Sequence, residues 1–459
     1  MRLLVPTATM AQHLQNQLAR EGFVFRGSLI QTLSGFVKDF TLDTPEVSAP
    51  VLHLIVEEAA RRVNAPEFAR VVDLPGFCAS LARTIEEFAS AGCDGARLAA
   101  CLPACLPNAP LGPAFLAVYR EVEAALGRRG LAMRATRLER AADRIASAGL
   151  GRISTIWMHG FHALPDPELR VIAALGRHAD LTLTLGDADL GPALRARLEE
   201  MGFRHERAAR VRTVPERVLV KARGIEREVE EIARRILEQA EAGRPFREIG
   251  IVVRAAEIYV PLLRSTMERF GIPARFYFDL DLEEQAAVRC LAGAVDAMLS
   301  GWDHAQTLAV LRLAPRFADL NALDRFDFDV RQQIPNAGLD ALKSLLVDEN
   351  GLPRSGGAGR LIHQLESLAL FEEWRGLVLQ PKGWAARLKT LRNLFRPARP
   401  TMSANHEMAL EWRSQAAAGD GFEEAMDQAA QALDPDREIA LPEFWRAASA
   451  PCHRSIWKI

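Results

Sequence analysis

The sequence predicts an α/β protein with two parallel-sheet domains and large helical insertions. Three observations predict it. Short apolar runs bounded by turns, at residues 2–5, near Leu29, at 154–158 and from Leu181, alternate with amphipathic segments. Residues 217–280 read as β-α-β-α-β, the repeating unit of a parallel sheet. Residues 45–150 and 283–459 are rich in Ala, Leu, Arg and Glu and lack strand-like alternation. The expected division is a first α/β domain over 1–215, interrupted by helices at about 45–150, the start of a second over 216–282, and a helical subdomain over 283–459.

Taken in order, residues 2–5 form a buried strand followed by the turn Pro6-Thr7-Ala8-Thr9-Met10 and a helix with Leu14 and Leu18 on its inner face. Thr7 or Thr9 suits the helix cap. Residues 27–40, GSLIQTLSGFVKDF, read as strand, turn and helix, with Phe36 and Phe40 packing inward. Thr32 and Ser34 there suit either a helix cap or a phosphate contact through hydroxyl and backbone. LHLIVEEAARRV, FCASLARTIEEFASAG and AFLAVYREVEAALGRRG are amphipathic helices of the insertion. STIWM is a strand leading into HGFHALPDPELRVIAAL, and LTLTLGDADL is another, ending at Gly186-Asp187.

Past residue 217, the runs at 218–220, 249–253 and 276–278 are expected as strands. Between them, Ile225, Val229, Ile232 and Ile236 make one helix face, and Leu263, Met267 and Phe270 another, with Pro261 in the first turn of the second helix. Beyond Leu282 the best helices are EEQAAVRCLAGAVDAMLS, AQTLAVLRL, GRLIHQLESLALFEEW and GWAARLKTLRNLFRP. In the last, Trp384, Leu388, Leu391 and Phe395 form an apolar stripe, while Arg387, Lys389, Arg392 and Arg396 decorate the remaining surface. Such a helix is either a solvated face or a track for a phosphate backbone.

Composition narrows the functional classes. The chain has 459 residues, 49% of them hydrophobic, and a net charge of −2, so any polyanion must be met by a local groove rather than a global field. Six scattered cysteines make no disulfide framework and fit a reducing cytoplasm. Cys93, Cys101 and Cys105 lack a fourth metal ligand, and His159, His162 and Asp166 fit a capped strand-to-helix turn better than a metal site. No run approaches the ~18 apolar residues of a membrane span, so no membrane partner is expected.

EREVEEIARRI, IGIVVRAAEIY and FGIPARFYF, in that order and spacing, resemble the start of the second RecA-like domain of superfamily 1 helicases of the UvrD and RecB type. GFHALPDPELRVI resembles the strand-turn-helix of AddB-type (RecC-like) subunits of bacterial helicase–nucleases. The resemblance implies two RecA-like domains of the P-loop NTPase type, each with a helical insertion. It implies equally that the ATP chemistry is gone. PTATM stands where a Gly-rich, Lys-containing loop belongs, His159-Gly160 where Asp-Glu belongs, and Leu190 where a γ-phosphate-sensing Gln belongs. Arg254 matches the strand-end arginine that reaches the γ-phosphate in active relatives; with no phosphate to meet, it is expected in an ion pair at the domain junction.

Thr32 and Ser34 fall on a motif that touches single-stranded DNA in these helicases, and the basic helix around Arg387 on their usual insertion. The implied role is a non-catalytic DNA-guiding scaffold in double-strand-break repair, without a cofactor. Its partners would be DNA, single-stranded or at a duplex end, and an AddA-like helicase–nuclease subunit. The family continues into a nuclease domain of the Asp…Glu-x-Lys type, absent here, which makes a truncated fragment one alternative and an active, divergent helicase or nuclease subunit the other.

Overall fold

The computed structural model describes residues 1–105, 111–186, 189–206, 216–276, 279–314, 320–333, 337–354, 356–396, 399, 406–454 and 456–458. The protein is mixed α/β and mostly helical, with one small parallel sheet. Four strands, β1 (Arg2–Val5), β2 (Ile30–Thr32), β3 (Thr155–His159) and β4 (Asp180–Thr184), lie in the order β2-β1-β3-β4, all neighbours parallel. Leu3 pairs with both Ile30 and Trp157, and Met158 with Leu183. Helix α1 (Ala8–Arg20) lays Ala11, Leu14 and Leu18 on the face of β1 and β2. The opposite face, with Leu4, Ile156 and Met158, is covered by α2 (Leu33–Lys38), α7 (Arg134–Ala148) and α8 (Asp166–Gly176). Helix α9 (Pro192–Glu200) adds Leu198 to that core.

The insertion between β2 and β3 holds α3 (Ala49–Val63), α4 (Pro75–Ser90), α5 (Gly95–Cys105), α6 (Leu111–Arg128) and α7, with a core of its own around Ile55, Ile85 and Tyr119. Helix α7 fastens the insertion to the sheet domain through a row of arginines. Arg137 reaches Glu46 (2.6 Å) and Thr41 (2.9 Å), Arg140 reaches Thr44 (2.8 Å), and Arg144 pairs with Asp43 and the Phe40 carbonyl. Spacings of three and four put all three on one face of the helix.

Residues 217–280 depart from the predicted β-α-β-α-β. Both helices form, α10 (Ile225–Glu241) and α11 (Ala256–Arg269), and they pack through Val229, Ala233, Leu263 and Met267. Residues 218–220 and 249–253 are assigned no strand; Leu219 is 98% and Val252 96% exposed. Tyr277 and Phe278 lie outside the described residues, and the next strand, β5 (Asp279–Asp281), pairs antiparallel with β8 (Ile456–Lys458). The local signal for a strand is apolar and β-branched composition, but a strand exists only when a neighbour takes its N–H and C=O groups. Pro261 is the sixth residue of α11 rather than part of its first turn, because the helix starts upstream at Ala256. The carbonyl this proline leaves unbonded is that of Glu257, an exposed residue where water can serve it.

Residues 282–448 build the largest core of the molecule. It comprises α12 (Ala286–Leu299), α13 (His304–Leu313), α14 (Leu320–Gln333), α15 (Leu339–Ser344), α16 (Gly356–Ala369), α17 (Pro381–Thr390), α18 (His406–Ala432) and α19 (Leu441–Arg454), with a two-stranded ribbon of β6 (Val378–Leu379) and β7 (Ile439–Ala440). Trp384 is wholly buried at its centre and donates its indole N–H to the Ile439 carbonyl at 2.7 Å. Helix α18, 27 residues long and so about 40 Å, is the spine. It contacts α12, α17 and α19, and also α3 of the first insertion. There Arg129 donates to the Ala432 carbonyl (2.9 Å) and to Glu58 (2.6 Å), so the two helical regions share an interface. Among the described residues, no helix is long and apolar enough to cross a membrane.

Candidate functional site

In an open parallel sheet, ligands bind beyond the carboxyl ends of the strands, where the crossovers leave on opposite faces. Here that point lies between β1 and β3, since α1 leaves on one face and α8 on the other. The crevice is bounded by Pro6 and Thr7 on one side and His159 and Gly160 on the other.

The connection from β1 to α1 is two residues long. A phosphate-binding loop at this position spans about eight residues, supplying consecutive N–H groups and a lysine. Pro6 has no N–H. Thr7 caps α1, its hydroxyl accepting the Met10 N–H at 3.2 Å, and its carbonyl accepts the Ala11 N–H at 3.1 Å. The Met10 side chain packs against Gly160 at the edge of the crevice: a Cβ built there would lie 2.6 Å from the Met10 methyl and 2.8 Å from its sulfur. Gly160 has φ +82°, a left-handed turn that suits glycine, and this lets the chain leave β3 without colliding with Met10.

The other positions of the edge are also committed. Thr32 caps α2, accepting the Gly35 N–H at 3.0 Å; Ser34, inside the first turn of α2, is partly buried. His162 meets Asp189 at 3.2 Å, and Asp166 is held by Arg197 (2.6 Å) and Arg97 (3.6 Å), so these side chains answer different partners. The hydrogen bond from Arg197 holds the Asp166 carboxyl below its usual range. Leu190 packs against the sheet core.

The second region singled out by the sequence is α17 and the turn after it. Trp384, Leu388, Leu391 and Phe395 are buried as one stripe. Three of the four cations beside them face acids on neighbouring elements. Lys389 bonds Asp427 (2.6 Å); Arg392 bonds Asp420 (2.5 Å), Glu423 (2.9 Å) and the Ala416 carbonyl (3.0 Å). Arg387 lies 3.8 Å from Glu373, and Arg396 bonds Asn393. Arg392 also lies across α18 at Gly419, where a Cβ would approach its Nε to 3.1 Å. Lys389 and Arg392 clasp α17 and the turn after it to α18.

Arg254 is exposed, and among the described residues it has no ion pair. The same holds for Arg217, Lys221 and Arg223 on the extended segment before α10. Met10, at the edge of the crevice, carries no signal in the sequence beyond its place in PTATM. The α7 arginines did carry one, at positions 137, 140 and 144 downstream of the polar segment TLDTPE.

Compared with known proteins, the chain matches no protein-family model and no curated protein.

Proposed function

We propose that this chain is a non-catalytic scaffold that guides DNA within a double-strand-break repair complex, an AddB-like subunit whose helicase-type fold has lost its motor. The observation that carries the reading is the two-residue link between β1 and α1, with Met10 packed against Gly160 beside it. The sheet keeps the parallel, two-faced arrangement of a RecA-like first domain, while its phosphate-binding edge is built shut. On this reading, helices α10 and α11 stand where a second RecA-like domain would begin. ATP hydrolysis then belongs to an AddA-like partner, and this chain contributes surface.

That surface is assigned to unpaired cations. Of the cations around α17, Lys389 and Arg392 are held by acids on α18, whereas Arg217, Lys221, Arg223 and Arg254 are exposed and available. A cation already neutralised by a carboxylate releases few counterions when a phosphate approaches, so it adds little affinity. The test is fluorescence anisotropy of a labelled duplex with a single-stranded tail across a salt series. Each lost phosphate contact removes about 0.7–0.9 from the slope of log K against log salt. Replacing all four cations with alanine is expected to lower the slope by roughly 3. An unchanged slope, or binding insensitive to salt, overturns the assignment.

A further inference from the structure

Three helices of the C-terminal region leave a groove of about 1000 Å³ on its surface, between α12, α13 and α19. It is built at helical spacing. Val288, Ala292 and Leu299 come from one face of α12, and Ala309, Val310 and Leu313 from one face of α13. Trp445 and Ser449, four apart on α19, form the opposite wall. Val288, Val310 and Trp445 are themselves buried, so Ala292, Leu299, Ala309 and Leu313 make most of the open apolar surface. At Gly293 the two floor helices touch, a Cβ there lying 3.1 Å from Val310. Ala309 is exposed and Ala292 half-buried, so backbone from outside can come close.

The rim is acidic. Glu284 and Asp296 are exposed beside the apolar floor, Glu283 lies at the same end, and Arg289 is the single cation among the lining residues. Asp296 gives one oxygen to the Trp445 indole N–H at 2.7 Å, which fixes the far wall without neutralising the carboxylate. An apolar trough flanked by carboxylates is the complement of an amphipathic helix with apolar residues at i, i+3, i+4 and i+7 and lysine or arginine beside them.

We propose that this groove docks a basic amphipathic helix of a partner protein, set down along α12 and α13 against Trp445. The reading is independent of DNA binding and of the closed crevice, since it uses neither.

The full chain is titrated with a fluorescein-labelled peptide of about 18 residues, roughly 27 Å as a helix, with leucines on one stripe and lysines elsewhere. A twin peptide carries glutamate for lysine. Wild-type protein is expected to bind the lysine peptide and to bind the glutamate twin at least about tenfold more weakly. Ala309→Trp fills the floor from an exposed position and is expected to weaken the lysine peptide about tenfold. Glu284→Lys is expected to weaken it severalfold while leaving thermal unfolding unchanged. Failure of the lysine peptide to bind, equal binding of both peptides, or indifference to Ala309→Trp each overturns the proposal. So does a concentration-dependent dimer in sedimentation that Ala309→Trp dissociates, which would give the groove to a second copy.

Discussion

Replacing Arg392 with methionine separates a structural clasp from a DNA contact. Methionine keeps much of the apolar stem and removes the guanidinium, so the loss reports the polar contacts. The bond to Asp420 is short, but that carboxylate is 71% exposed and rehydrates easily, leaving about 0.5 kcal/mol or less. Glu423 is 33% exposed, and its bond contributes about 0.5–1 kcal/mol. The Ala416 carbonyl, part-buried at 3.0 Å, adds about the same. The sum is a destabilisation of about 1–2 kcal/mol. Arg387→Met, whose pair is exposed and 3.8 Å apart, should stay within about 0.5 kcal/mol. Urea unfolding followed by far-UV circular dichroism measures both, and anisotropy measures DNA binding of the same variants. If Arg392→Met left stability unchanged and lowered the salt slope by about 1, the helix would be a phosphate track and the clasp reading wrong.

Two further outcomes follow from titratable groups. The Asp327 carboxyl is held below its ordinary 3.8, first by Arg331 and then by Arg312, and its side chain is 15% exposed. A depressed pKa stabilises the fold above the unfolded value and is lost as pH falls through the folded one. Unfolding free energy is therefore expected to drop below about pH 4, and to drop less steeply in Asp327→Asn; equal acid limbs for both proteins would refute this. Burial pushes the Cys290 thiol up to about 12, while Cys101 is exposed. A colorimetric thiol reagent at neutral pH should modify Cys101 at once and Cys290 only after unfolding, and rapid loss of the Cys290 thiol in the native protein would refute its burial.

The first sheet was legible in the sequence because each strand is a short apolar run closed by a turn, and because helix signals lie between. Thr7 and Thr32 as caps were legible for the same local reason. Residues 218–220 and 249–253 carry the same local signal yet form no strand, since pairing depends on a neighbour rather than on composition. The partners of the basic stripe were hidden for a different reason. Spacing shows Arg392 and Lys389 beside a buried face, but their acids stand about thirty to forty positions away, on α18, and only packing brings them together. Helix α7 is poorly legible in the sequence because its inward face includes a buried arginine, Arg137, where periodicity looks for an apolar residue.

The crevice between β1 and β3 is expected to take no nucleotide, because the link from β1 to α1 is two residues long and Met10 packs against Gly160 at its edge. Isothermal titration of the full chain with Mg-ATP tests this most directly. No saturable heat is expected up to about 1 mM, where binding would be worth only about 4 kcal/mol. A saturable, Mg²⁺-dependent heat with a micromolar Kd, abolished by a bulky substitution at Gly160, would contradict it.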